Sequence, residues 1–283
     1  MEWLDRLNSA LSYIEDNLGS PPDYEALARI ACCSPYHFQR MFAYLAGMPL
    51  SEYIRRRRMS LAAVDLLQGG KVLDVALKYG YSSPTAFNRA FQSVHGCPPS
   101  SVREPGAPVK SFPPISFKIT VKGVEEMNFR IEHREAFTIV GVSVPLEREL
   151  EKNFQVIPKK WAEAGANGTL GKLAARMSGE PKGVLGVSNF DTVTGRGRYY
   201  IAVTSEDDSG GFEKFTVPAA DWAIFPGKGP NESIQELERR VFTEWLPTSG
   251  YEYGDAPDIE VYLSPDPQNA VYEVWVPVVK KKD

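Results

Sequence analysis

The sequence predicts two domains: an all-α domain built on a duplicated helix pair, then an α+β domain with two related strand–helix–strand halves. Three observations carry this. First, an 18-residue stretch occurs twice, at Ser34–Ser51 and Ser83–Ser100, an offset of 49 with agreement at 8 of 18 positions. Unrelated stretches would agree at about one, so the repeat names a two-unit device. Second, Pro105, Gly106, Pro108, Pro113 and Pro114 interrupt the helical spacing. Third, strand-like runs dominate from Asn128 onward.

The elements follow in order. Leu4, Leu7, Leu11, Ile14 and Leu18 recur at helical spacing, so Trp3–Leu18 opens the chain as an amphipathic helix. Tyr24–Ala31 and Val72–Tyr79 are short helices in which Ala alternates with large aliphatic residues. A tight turn follows each, Cys32-Cys33 or Gly80-Tyr81-Ser82, and the repeated stretch comes next. Each repeat carries its own start and stop. Ser34 and Ser83 cap the N-terminus, and Pro35 and Pro84 occupy the first helical position. Gly47 and Gly96 suit a left-handed C-cap, and Pro49 and Pro98 prevent continuation. Phe38, Phe42 and Leu45 form one face of the first copy, and Phe87, Phe91 and Val94 one face of the second.

The opposite faces carry Tyr36, Gln39 and Arg40, and Thr85, Asn88, Arg89 and Gln92. These side chains can hydrogen-bond base edges, Arg best because its fork matches two guanine acceptors. Two helix-turn-helix patterns in register therefore point to double-stranded DNA. Ser51–Leu67 joins them as a helix of roughly 25 Å, enough to hold two reading helices about one DNA turn apart. Arg55–Arg58 cannot all face DNA, because successive helical residues rotate by about 100°. One or two of them are expected on phosphate and the others on acids such as Glu52 or Asp65.

Composition narrows the field. Residues 1–107 carry a net charge of +1 and the remainder −5, within a total of −4. A DNA-binding half so close to neutral implies moderate, salt-sensitive affinity resting on local clusters. Cys32, Cys33 and Cys97 supply neither a disulfide framework nor a four-thiolate zinc site, and reduced thiols of a cytoplasmic protein are expected. No signal peptide, membrane span, metal site or cofactor motif stands out. Gly227-Lys228-Gly229-Pro230 lacks the spacing of a phosphate loop and reads as a turn.

The motifs ALARIA…SPYHFQRMF, YIRRRRMSLAAVDLL and VLDVALKYGYSSPTAFNRAF…GCPPSSVR resemble the DNA-binding domain of AraC/XylS-family transcription regulators over residues 1–104. That resemblance implies two helix-turn-helix units in one chain, with Tyr36, Gln39 and Arg40, and Thr85, Asn88 and Arg89, reading bases. Pro84 stands where many relatives place a polar contact residue, which thins the second unit's reading. RNA polymerase is a further candidate partner of such a regulator.

Residues 105–127 read as a linker with a leading strand at Ile115–Val121. In residues 128–283, strands are expected at Phe129–His133, Thr138–Val144, Gly183–Val187, Tyr199–Thr204, Phe215–Val217, Trp222–Phe225, Ile259–Leu263 and Val271–Val278. Helices are expected near Glu147–Ala164 and at Glu232–Leu246. DWAIFPGKGP, TEWLPTSGY, DIEVYL and YEVWVPV resemble the GyrI-like small-molecule-binding domain of multidrug-responsive regulators. The resemblance implies a groove for drug-like, often cationic effectors, with Glu260 facing it. Alternation places Tyr262 on the same face as Glu260, and Glu273 with Trp275 on one face of the last strand. A carboxylate among aromatic rings suits a lipophilic cation. Glu260, Tyr262, Trp161, Tyr199, Trp222 and Trp275 are the candidate effector contacts. The expected function is an effector-controlled transcription regulator rather than an enzyme. The alternatives are a GyrI-like hydrolase using Glu260 as general base beside Tyr262, and a ligand-sequestering protein with a fused DNA-binding domain.

Overall fold

The computed structural model describes residues 3–118, 126–147, 150–191, 196–207, 210–230, 232–264, 266 and 268–281. Six helices occupy the N-terminal part: α1 (Trp3–Asp16), α2 (Tyr24–Ala31), α3 (Pro35–Ala46), α4 (Leu50–Leu67), α5 (Val72–Lys78) and α6 (Pro84–His95). The chain forms two compact units that interleave in sequence. One holds residues 1–32 and 46–119, and the other residues 33–45 and 120–283. The first helix-turn-helix pattern is thus divided at Cys32/Cys33, and α3 is part of the second unit rather than of an N-terminal domain ending at residue 104.

In the first unit the caps foreseen from sequence are present. Ser83 Oγ accepts from Ala86 N–H at 3.3 Å, and Gly96 closes α6 at φ 81°. Cys32 ends α2 with φ 55°, a left-handed conformation unusual for a residue bearing a Cβ. Phe87 and Phe91 of α6 are fully buried with Met59, Ala62, Ala63 and Leu66 of α4 and Val75 and Ala76 of α5. The apolar stripes have closed a compact three-helix core.

All four arginines of the α4 cluster have partners within this unit. Arg55 and Arg56 pair with Glu52, the latter at 2.5 Å. Arg57 is buried, reaching Glu15 at 2.6 Å and the Phe112 carbonyl at 2.6 Å. Arg58 donates to the Leu18 and Ser20 carbonyls. Asp65, an expected arginine partner, instead takes Lys78 and the Tyr79 hydroxyl.

The expected strand at Ile115–Val121 is not a strand over residues 115–118; the rest lies outside the described residues. Side chains, not a neighbouring strand, satisfy this stretch. Asn8 bonds both the N–H (2.8 Å) and the carbonyl (3.0 Å) of Phe117. Tyr53, Ser60 and His95 accept from the N–H groups of Ile115, Phe112 and Lys110. The alternating pattern ISFKITV marks an extended chain, but its amides are paired elsewhere, so residues 105–118 belong to the first unit.

The second unit has a nine-stranded antiparallel sheet. Its strands are β1 (Arg130–Arg134), β2 (Phe137–Leu146), β3 (Val184–Asp191), β4 (Arg196–Thr204), β5 (Glu213–Val217), β6 (Ala220–Gly229), β7 (Tyr251–Tyr253), β8 (Asp258–Tyr262) and β9 (Ala270–Lys280). Its helices beyond α3 are α7 (Leu150–Ala166), α8 (Thr169–Ala174) and α9 (Glu232–Arg240). The order is β1-β6-β9-β8-β3-β4-β2-β5, with β7 also on β9. Two halves are evident: β2–α7–β3–β4 and β6–α9–β8–β9 each place their last strand between the other two. They meet where β3 pairs with β8, with Gly186 opposite Glu260. Strands β5 and β6 and the helix α9 start within a few residues of where the sequence places them. The short β7 and α8 were not foreseen. Residues 227–229, expected as a turn, instead continue β6 against β9.

Alternation gives the sheet two buried faces. Leu185, Val187, Tyr200, Ala202, Trp222, Ile224, Ile259, Val261 and Trp275 share one. Val140, Tyr199, Ile201 and Val203 share the other, with Trp161 of α7 and Tyr36 of α3 packed on it. No helix of the described residues is long and apolar enough to cross a membrane.

Candidate functional site

The seam between β3 and β8 sets the chemistry. Asp258, Glu260 and Tyr262 alternate along β8 and share a face. Glu260 Oε2 accepts from the Tyr199 hydroxyl at 3.1 Å and the Tyr262 hydroxyl at 3.0 Å. Trp161 Nε1 donates to the Tyr199 oxygen at 2.9 Å, and its ring meets Tyr262 edge-on at 5.0 Å. Glycine at the partner position on β3 leaves room for these groups: a Cβ at Gly186 would collide with the Tyr199 hydroxyl and stand 2.7 Å from Glu260 Oε2, so both side chains would have to shift. Burial, reinforced by the nearby Glu238 carboxylate, pushes the Glu260 pKa up to about 7, against the opposing pull of Arg40 and the two tyrosine hydroxyls. The site holds a carboxyl group poised between its charged and neutral forms, walled by three aromatic residues.

Four of the six expected effector residues, Glu260, Tyr262, Trp161 and Tyr199, therefore converge. Trp222 and Trp275 do not. They lie on the opposite face of the sheet, 6.0 Å apart and fully buried. The register explains this: Trp275 pairs with Ile259, one residue out of phase with Glu260. Glu273 shares the Trp275 side and accepts from its indole at 2.8 Å. The sequence fixes which residues of one strand share a face, but not which faces of two strands match.

The same face of the sheet also holds α3, through the residues expected to read DNA. The Arg40 guanidinium bridges Glu238 of α9 at 2.7 Å and Asp258 of β8 at 3.1 Å, with all three side chains nearly excluded from solvent. Tyr44 donates to the other Glu238 oxygen at 2.7 Å. Gln39 Oε1 accepts from the N–H of Leu150, the first residue of α7, at 3.3 Å. Tyr36 is 7% exposed and hydrogen-bonds Ser188 of β3. His37 stacks on Tyr253 at 3.5 Å and meets Phe242 edge-on at 4.8 Å. Desolvation alone would lower the Arg40 pKa, but Glu238, Tyr44, Tyr36 and Asp258 outweigh it and keep the guanidinium charged. Burial lifts Asp258 to about 6 despite Arg40. Burial also holds His37 well below its ordinary value, hence neutral.

Sequence reasoning treated Tyr36, Gln39 and Arg40 as an exposed face, and the structure corrects this: all three are buried. Asp258, Glu238 and Tyr253 were not singled out. A signal existed for Glu238, which sits four residues after Ile234 and three before Val241, inside the apolar stripe of its helix. The helix α6, the second one expected to read DNA, differs: Thr85, Arg89 and Gln92 are exposed and Asn88 is partly so.

Residues 127–279 match the family described as the GyrI-like small molecule binding domain. Residues 27–105 match a helix-turn-helix domain family. The chain is 38% identical over 98 residues to the HTH-type transcriptional activator AarP of Providencia stuartii, covering 34% of this chain and 73% of AarP. The chain is an AraC-type regulator carrying a GyrI-like domain. It is also 36% identical over 98 residues to the multiple antibiotic resistance protein MarA of Escherichia coli, covering 34% of this chain and 77% of MarA. A putative transcription regulation protein from Staphylococcus aureus aligns with 54% of this chain and 99% of its own length, at 21% identity and a TM-score of 0.46. Glu260 and its aromatic neighbours lie within the GyrI-like match. The helices α3 and α6 lie within the helix-turn-helix match.

Proposed function

We propose that this AraC-type regulator binds duplex DNA in a sequence-specific manner and is controlled by a lipophilic cation held at Glu260. DNA reading is assigned to Thr85, Asn88 and Arg89 of α6, and to Tyr36, Gln39 and Arg40 of α3 when that helix is exposed. The effector site is assigned to Glu260, Tyr199, Tyr262 and Trp161. One observation carries the effector reading: a desolvated carboxyl, bonded among the described residues by two tyrosine hydroxyls and backed by an indole, meets the needs of a cation too greasy to be well hydrated. Aromatic faces attract such a cation, and the carboxylate supplies its counter-charge. The experiment is a fluorescence titration of the full chain with tetraphenylphosphonium. Glu260→Gln is expected to weaken binding at least tenfold at pH 8. Equal affinity of the two proteins would overturn the assignment.

The hydrolase alternative is less well supported. Glu260 acting as a general base would need a nucleophile or an ordered path to one, and the groups nearest it are two tyrosine hydroxyls already bonded to the carboxylate.

A further inference from the structure

We propose that α3 is the built-in occupant of the effector groove: Arg40 is its tethered cation, a diffusible cation competes with Arg40 for the groove, and DNA competes with the groove for α3. This rests on the reading of Glu260 as the effector carboxylate and of Arg40 as a DNA-reading residue.

Position comes first. Arg40 is bound to Asp258, which stands two residues from Glu260 on the same face of β8, about 7 Å along the strand. Its other partner, Glu238, raises the Glu260 pKa, and Arg40 itself lowers it. The two carboxylates that seat α3 and the one assigned to the effector therefore form a single acidic cluster on one sheet face. Charge comes second. One guanidinium faces three carboxyl groups, so the cluster is under-neutralised, and a second cation entering at Glu260 weakens its hold on the first. Chemistry comes third. The residues consumed by the seat, Tyr36, Gln39 and Arg40, are those the helix needs for base edges, and each is committed to a partner within the second unit. A helix so engaged cannot place the same atoms in a major groove. The seat is also not an apolar trap. His37 is buried with neither ring nitrogen hydrogen-bonded among the described residues, so seating α3 strips a polar group of water without replacing it.

The test is hydrogen exchange of the backbone amides of residues 38–46 in the full chain, with and without saturating tetraphenylphosphonium. Bound cation is expected to speed exchange there at least tenfold while leaving strand β4 unchanged. Glu238→Gln and, as a milder variant, Tyr44→Phe are expected to speed it without any cation. Both should also tighten binding to duplexes selected from a randomised pool, and the gain should vanish when Arg40→Ala is added. Unchanged exchange at 38–46 with the probe bound overturns the competition while leaving the effector site standing. No binding of the probe to wild type or to Glu238→Gln removes the effector reading, and the competition with it. Faster exchange throughout β4 in both variants would show a general loss of structure, and would overturn the assignment of these contacts to seating α3 alone.

Discussion

Gly186 lies opposite Glu260 in the candidate site, and substitutions at both residues have measurable consequences. The Glu260 carboxyl faces Tyr199 of β4, Tyr262 of β8, Glu238 of α9 and Arg40 of α3, and desolvation dominates its titration. Its native pKa of about 7 lies above the ordinary 4.5, so the native state holds a proton that the unfolded chain releases. Its contribution to stability is then fully present below about pH 4.5 and is lost as pH rises through 7. Asp258 acts in the same sense, from 3.8 to about 6. Glu260→Gln is expected to be more stable than wild type at pH 8 by on the order of 3 kcal/mol, and the difference should fade by pH 5 in denaturant unfolding. Cation affinity should run the other way, rising from pH 6 to pH 8 as the carboxylate ionises. Gly186→Ala should displace the Tyr199 and Glu260 side chains and cost about 1–3 kcal/mol of stability, with weaker cation binding read by the same titration.

The helices of the first unit were legible because their signals are local. Ser83, Pro84 and Gly96 each act within one turn of α6, and Phe87 and Phe91 declare their face by spacing alone. The strands were legible by alternation, within a few residues at their ends. What was not legible is pairing at long range. Nothing near Arg40 announces Glu238 or Asp258, about two hundred residues on, and an Arg on the polar face of a helix is ordinarily solvated. ISFKITV failed for the same reason: the amides of Ile115 and Phe117 are taken by Tyr53 and Asn8, side chains remote in sequence. Trp222 and Trp275 failed because strand register decides which face a residue shares with another strand. Two predictions belong to the reading helices. Replacing His37 with Phe keeps the ring stack on Tyr253 and removes two unbonded nitrogens, so His37→Phe should stabilise the seated form by about 1–2 kcal/mol and slow exchange across α3. On the exposed helix, Arg89→Ala should cost about 1–3 kcal/mol of sequence discrimination in a competition assay against random duplex.

For the molecule as a whole, on the proposed reading, one helix serves both the sheet and DNA. The net charge of +1 on residues 1–107 leaves little general attraction for phosphate, and all four arginines of α4 are engaged internally. Losing a set of base contacts therefore matters more here than in a strongly basic protein, and DNA affinity should fall less steeply with salt than it does for such a protein. On that reading, seating α3 leaves α6 to contact DNA, and releasing α3 lets a second helix contact it about one DNA turn away. Footprinting of the full chain on a selected duplex, with and without tetraphenylphosphonium, tests this most directly. The account predicts protection of one major-groove segment without the cation, and of two neighbouring segments about 10 base pairs apart with it. Protection of both segments at equal affinity in the absence of any cation would contradict it.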